Sequence, residues 1–154
     1  MSGLPGTTSS TAGASSSGHQ VRVLLYSDDR STREQVMRSV GRRPARDVEV
    51  VEWKECATPK IAEAEAKAGG YDLFIFDGEA APLGGMGLCR QLKFEIYDCP
   101  PVVVLTGRPQ DAWLAAWSYA ERAVPHPLDP MVLARAVADV VRETAESGVT
   151  TPIP

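Results

Sequence analysis

The chain has 154 residues, 44% of them hydrophobic and 23% charged, with a formal net charge of -4. That size and balance suit one soluble globular domain with its own core. The mild acidity gives no electrostatic footprint for nucleic acid and no apolar run reaches membrane-spanning length. Three scattered cysteines, Cys56, Cys89 and Cys99, fit reduced thiols in a cytoplasmic protein better than a disulfide framework or a metal site.

Residues 1–20, MSGLPGTTSSTAGASSSGHQ, are almost wholly Gly, Ser, Thr and Ala. They bury too little apolar surface to offset chain entropy and are expected to form a disordered tail, His19 included. They lack the basic start and apolar run of a secretory signal. VRVLLYS reads as a first strand. STREQVMRSVGRR follows, with Ser31 three residues before Glu34 in capping-box spacing and Val36, Met37 and Val40 as a helical stripe. DVEVVEWKE alternates like a strand. TPKIAEAEAKAGG places Thr58 as N-cap, Pro59 at the first helical position and glycine at the end.

YDLFIF is a third strand and GMGLCRQLKFEI a third helix; PPVVVLT is a buried strand and PQDAWLAAWSYA a fourth helix. RAVP is a short fifth strand. DPMVLARAVADVVRETA is the last helix, capped by Asp129 with Pro130 at its first position. Five strands alternating with five helices, joined by right-handed crossovers, give an α/β domain over residues 21–143: a doubly wound, five-stranded parallel sheet. Residues 144–154 read as a flexible C-terminal tail.

The reactive side chains fall at strand ends. Asp28 and Asp29 follow the first strand, Asp77 the third and Thr106 the fourth, and the fifth leads into His126. A parallel sheet gathers such positions on one edge. Neighbouring carboxylates there repel one another unless a cation or proton intervenes, and a hard ion such as Mg²⁺ suits an all-oxygen donor set. An aspartate beside that ion is a nucleophile toward phosphorus. The Thr106 hydroxyl would donate to a phosphoryl oxygen, and Gly107 leaves room for close approach.

This order of residues resembles the receiver domain of bacterial response regulators, the phospho-accepting half of two-component systems. The resemblance covers roughly residues 21–143 and implies the (βα)5, flavodoxin-like receiver fold. YSDDRSTRE is similar to the family's acid pair, so Asp28 and Asp29 would hold Mg²⁺. In YDLFIFDGEAAPLGGMGL, Asp77 would accept phosphate and also ligate the ion, and the backbone carbonyl of Glu79 would complete the metal sphere. VVVLTG matches the switch hydroxyl, here Thr106. The resemblance also implies a cis His126–Pro127 peptide that points the His126 ring toward Asp77. The implied partners are a sensor histidine kinase or small phosphodonor and a downstream protein that docks on the helix 4, strand 5, helix 5 face. Nothing implies a membrane or direct nucleic-acid contact.

Three positions depart from the family pattern. His126 stands where receivers carry a lysine and is cationic only when protonated. Ala123 replaces the aromatic residue of the switch, and Pro82 comes one place later than usual, before a flexible GGMG stretch. Two alternatives follow: an interaction module of the same family that works without phosphate, and a small phosphohydrolase of the haloacid dehalogenase type. For the latter, FIFDGE approaches the Asp-x-Asp motif, but the acid pair comes first in the chain and no lysine follows Thr106. Simpler roles also exist for individual residues. Asp28 is a candidate N-cap of the first helix, GRRPAR reads as a solvated turn, and Trp113 and Trp117, one helical turn apart, are either core or partner-facing.

Overall fold

The computed structural model describes residues 18–80 and 84–147. In chain order the elements are β1 (His19–Tyr26), α1 (Arg30–Val40), β2 (Val48–Cys56), α2 (Pro59–Ala68) and β3 (Leu73–Asp77). There follow α3 (Gly85–Glu95), β4 (Val102–Thr106), a 3-10 turn (Pro109–Asp111), α4 (Ala112–Ser118), β5 (Arg122–Pro125) and α5 (Pro130–Ser147). All strand pairings are parallel, in the order β2-β1-β3-β4-β5. This is the expected doubly wound (βα)5 sheet.

Alternation along β1 explains why both faces are covered. Val23 and Leu25 join Val36 and Val40 of α1 and Leu133, Val137 and Val141 of α5 in one core. Leu24 and Tyr26 point the other way, into a second core with Ala62 and Ala66 of α2, Leu88 and Leu92 of α3 and Ala115 of α4. Strands β3 and β4 are buried throughout, as central strands covered on both faces must be. Each fully buried Leu or Phe contributes about 1.5–3 kcal/mol relative to exposure.

The helix starts follow local chemistry. Thr58 Oγ1 accepts from Ile61 N at 3.3 Å with Pro59 opening α2. Asp129 Oδ1 accepts from Met131 N at 2.9 Å and Val132 N at 3.3 Å at the head of α5. At α1 the expectation is corrected. Asp29 is the N-cap, accepting from Ser31 N at 2.8 Å, so Ser31 lies inside the helix and neither it nor Asp28 is the cap. The carboxylate two residues before Ser31 N outcompetes the hydroxyl as acceptor for the helix's unpaired N–H groups.

The fourth helix is shorter than the apolar spacing suggests. A 3-10 turn precedes it, and it stops where Tyr119 adopts φ 66°. Two domain boundaries also shift. β1 takes in His19 and Gln20, because the His19 N–H reaches Asp47 O at 2.7 Å and extends the pairing with β2. α5 runs to Ser147, past residue 143. Residues 1–17 and 148–154 of the expected tails, and Pro82, lie outside the described residues.

Cys56, Cys89 and Cys99 are buried free thiols. Burial pushes Cys56 and Cys99 up to about 11 and Cys89 up to about 12, which leaves them protonated and inert as nucleophiles. Among the described residues no helix is long and apolar enough to cross a membrane.

Candidate functional site: an acidic cleft at the carboxyl edge of the sheet

Strands β1 and β3 are neighbours, but the chain leaves them in opposite directions, β1 toward α1 on one face and β3 toward α3 on the other. A crevice opens where the direction reverses. It is a cleft of about 410 Å³ lined by Asp28, Asp29, Thr32, Asp77, Glu79, Gly107 and His126. Among the described residues its walls therefore include four acids and no lysine or arginine.

Asp77 is the buried member, 3% exposed. Its Oδ2 accepts from the Ser27 hydroxyl at 2.7 Å and its Oδ1 from the Glu79 N–H at 2.9 Å. His126 Nε2 lies 3.6 Å from Oδ1, ion-pair distance rather than a hydrogen bond. The His126 N–H is fixed by Thr106 O at 2.8 Å, and the His126–Pro127 peptide is cis, as expected. Thr106 is buried at the end of β4, while Gly107 beside it lines the cleft.

Two glycines permit the packing here. A Cβ on Gly107 would sit 2.5 Å from the Glu79 carboxylate, and one on Gly85, the first residue of α3, 2.7 Å from the Asp77 carbonyl oxygen. The room that Gly107 leaves is thus used by Glu79. Tyr26 lies buried beneath the cleft, and burial, helped by the charges of Asp28 and Asp77, raises its hydroxyl above the usual tyrosine range.

Asp28, Asp29 and Asp77 line one cleft with Glu79, which is expected there through its backbone carbonyl, but the four side chains do not converge tightly. Among the described residues, no three His, Cys, Asp or Glu side chains stand close enough to hold a metal ion by themselves. Asp29 Oδ1 is engaged as the α1 cap. The donors are all oxygens, which fits Mg²⁺, an ion that takes one or two carboxylates and keeps several waters.

Two lining or supporting residues escape a reading of the sequence. Ser27 carries the signal of a hydroxyl closing an otherwise apolar strand. Thr32, in the first turn of α1, carries none. Away from the cleft, Trp113 and Trp117 are 66% and 46% exposed, so neither is core. The Arg90 guanidinium lies 4.7 Å from the centre of the Trp117 ring and donates to Trp117 O at 2.6 Å.

No protein-family model matches the chain. An uncharacterized response regulatory protein of Mycobacterium tuberculosis, found in strains CDC 1551 / Oshkosh and H37Rv, is 52% identical over 125 residues. The match spans 81% of this chain and 94% of the relative. The chain belongs to the response regulators. Solved receiver structures share the fold. The receiver domain of a Francisella response regulator aligns at TM-score 0.68 with 17% identity, over 80% of this chain and 98% of that one. A CheY-like receiver domain protein from Methanospirillum hungatei aligns at 0.66 with 16% identity, over 83% and 98%. The receiver's cleft occupies the carboxyl edge, as the order of its acids predicts.

Proposed function

We propose that this receiver takes a phosphoryl group onto Asp77 in a Mg²⁺-dependent transfer and signals through a protein contact. The observation that carries the reading is Asp77 itself, a buried carboxylate at an acidic cleft, with no lysine or arginine within ion-pair distance among the described residues and an imidazole set over Oδ1. Oδ1 attacks the phosphorus of a phosphohistidine on a sensor kinase, or of a small acyl phosphate. The donor's bond to phosphorus breaks, the donor keeps the electron pair, and Asp77 becomes a mixed anhydride.

A Mg²⁺ held by Asp28, Asp29, the Glu79 carbonyl and, until transfer, Asp77 would offset the charge that these acids share with the phosphoryl oxygens. Thr106, closing β4, would donate to a phosphoryl oxygen. Protonated His126 would supply the cation that a lysine supplies elsewhere in the family. Output would pass through the face of α4, β5 and α5. Trp113, Trp117, Met131 and Val132 are exposed there, and a shallow pocket of about 340 Å³ lies between Arg122 and Arg135. Cytoplasmic placement agrees with the three unpaired cysteines.

The absence of a lysine at His126 and of an aromatic at Ala123 favours, as the second reading, an interaction module that needs no phosphate. A hydrolase reading has less support, since no lysine follows Thr106. Mass spectrometry after incubation with acetyl phosphate and Mg²⁺ separates them. We expect one phosphoryl group on the wild type, none on Asp77→Asn and no turnover of a generic phosphate ester. An unlabelled wild type would overturn phospho-acceptance in favour of the module.

A further inference from the structure

We infer that Ser27 is a positioning residue that sets the lifetime of the phosphorylated state, an inference that rests on Asp77 being the acceptor. Every polar group of Ser27 is committed. Its hydroxyl donates to Asp77 Oδ2 at 2.7 Å and accepts from the Asp29 N–H at 3.1 Å. Its N–H reaches Cys56 O at 3.2 Å, and its carbonyl accepts from Arg33 Nη1 at 2.7 Å. Arg33 is held in turn by Glu55 through a 3.0 Å bond from Nε. Ser27 is fully buried, so water does not substitute for its hydroxyl. The Asp77 carboxylate is therefore locked with Oδ2 turned to the protein interior and Oδ1 toward the cleft and His126.

That division assigns different roles to the two oxygens. Oδ1 carries the phosphoryl group, and Oδ2 becomes the carbonyl oxygen of the mixed anhydride. In hydrolysis water attacks phosphorus and the bond from phosphorus to Oδ1 breaks. The electron pair remains on the Asp77 carboxylate, and the proton of the attacking water passes to solvent as inorganic phosphate leaves. Negative charge returns to both carboxylate oxygens during this step. A hydroxyl donates more strongly to a charged oxygen than to a neutral carbonyl. Ser27 thus stabilises the departing carboxylate and speeds loss of phosphate. Because the transition state of phosphoryl transfer is loose, the attacking carboxylate keeps most of its charge on the way in, so the same bond changes the rate of phosphorylation little.

The test measures labelling and decay for the full chain with acetyl phosphate and Mg²⁺, in wild type, Ser27→Ala and Ser27→Thr. We expect Ser27→Ala to lengthen the acyl-phosphate lifetime about fivefold, a factor set by the gap between charged and neutral hydrogen bonds. Its labelling rate should stay within about twofold of wild type. Ser27→Thr, which keeps the hydroxyl, should restore the wild-type lifetime. Should Ser27→Ala fail to fold, Ser27→Cys fills the volume with a weak donor and is expected to lengthen the lifetime in the same direction. Equal lifetimes in wild type and Ser27→Ala would overturn the role of Ser27 while leaving the acceptor intact. Equal lengthening in Ser27→Ala and Ser27→Thr would overturn it too, by pointing to packing. No label on any variant would overturn the acceptor reading and this inference together.

Discussion

The two edges of the sheet treat buried charge in opposite ways. At the amino edge, the ammonium of Lys93 is buried and fully matched. It donates to both oxygens of Glu121, at 2.9 and 3.1 Å, and to Pro100 O at 3.2 Å, while Glu121 Oε1 also accepts from Val102 N at 2.7 Å. Asp47 and Arg142 form a second pair at the same edge, on the opposite flank of the sheet, with bonds of 2.6 and 2.9 Å. At the carboxyl edge, Asp77 is equally buried but is met by a hydroxyl, an N–H and an imidazole at 3.6 Å, with three more acids lining the same cleft. One edge is electrically complete. The other is not, and in the proposed function a cation and a phosphoryl group complete it from outside.

Breaking the matched edge should cost most. Lys93→Ala leaves the Glu121 carboxylate without its counter-charge and should lose about 3–5 kcal/mol in chemical denaturation. Lys93→Met combined with Glu121→Gln should recover most of that loss, because Gln keeps an acceptor for Val102 N. Next in size, saturating Mg²⁺ should stabilise the protein by about 1–3 kcal/mol, since the ion binds only the folded cleft, and Asp77→Asn should remove most of the gain. A melting temperature indifferent to Mg²⁺ would erase the contrast between the edges.

A smaller effect of opposite sign is expected from Asp77→Asn in metal-free buffer. Removing one charge from the acidic cleft should change stability by less than about 1 kcal/mol, toward the more stable side. The smallest effect belongs to the exposed pair. Arg142 holds the Asp47 carboxyl at about 2, below its ordinary 3.8. Its contribution is therefore present above the ordinary value and fades as pH falls toward about 2, so acid denaturation curves of wild type and Asp47→Asn should converge at that end.

Much of this contrast is legible in the sequence, and what is not has physical causes. The strands and the starts of α2 and α5 are readable because short apolar runs, the alternation of β2, Thr58–Pro59 and Asp129–Pro130 act over a few residues. The acids and His126 were readable because a parallel sheet sends every strand end to one edge. The Lys93–Glu121 pair joins residues 28 apart through the sheet's far edge, and nothing local marks Lys93 as buried on an otherwise ordinary helix. Ser27 joins Asp77 across 50 residues, a contact set by the neighbouring placement of β1 and β3 rather than by either segment alone. The sequence points to Ser31 or Asp28 as the cap of α1 rather than Asp29 because all three satisfy the preference for small polar residues, and the backbone geometry chooses among them.

The claim that the carboxyl edge is completed from outside is tested most directly by calorimetric titration with beryllofluoride, a phosphoryl mimic, with and without Mg²⁺. The account predicts binding that requires Mg²⁺ and is lost in Asp77→Asn, with His126→Lys binding more tightly than wild type. No binding in Mg²⁺, or equal binding by wild type and Asp77→Asn, would contradict it.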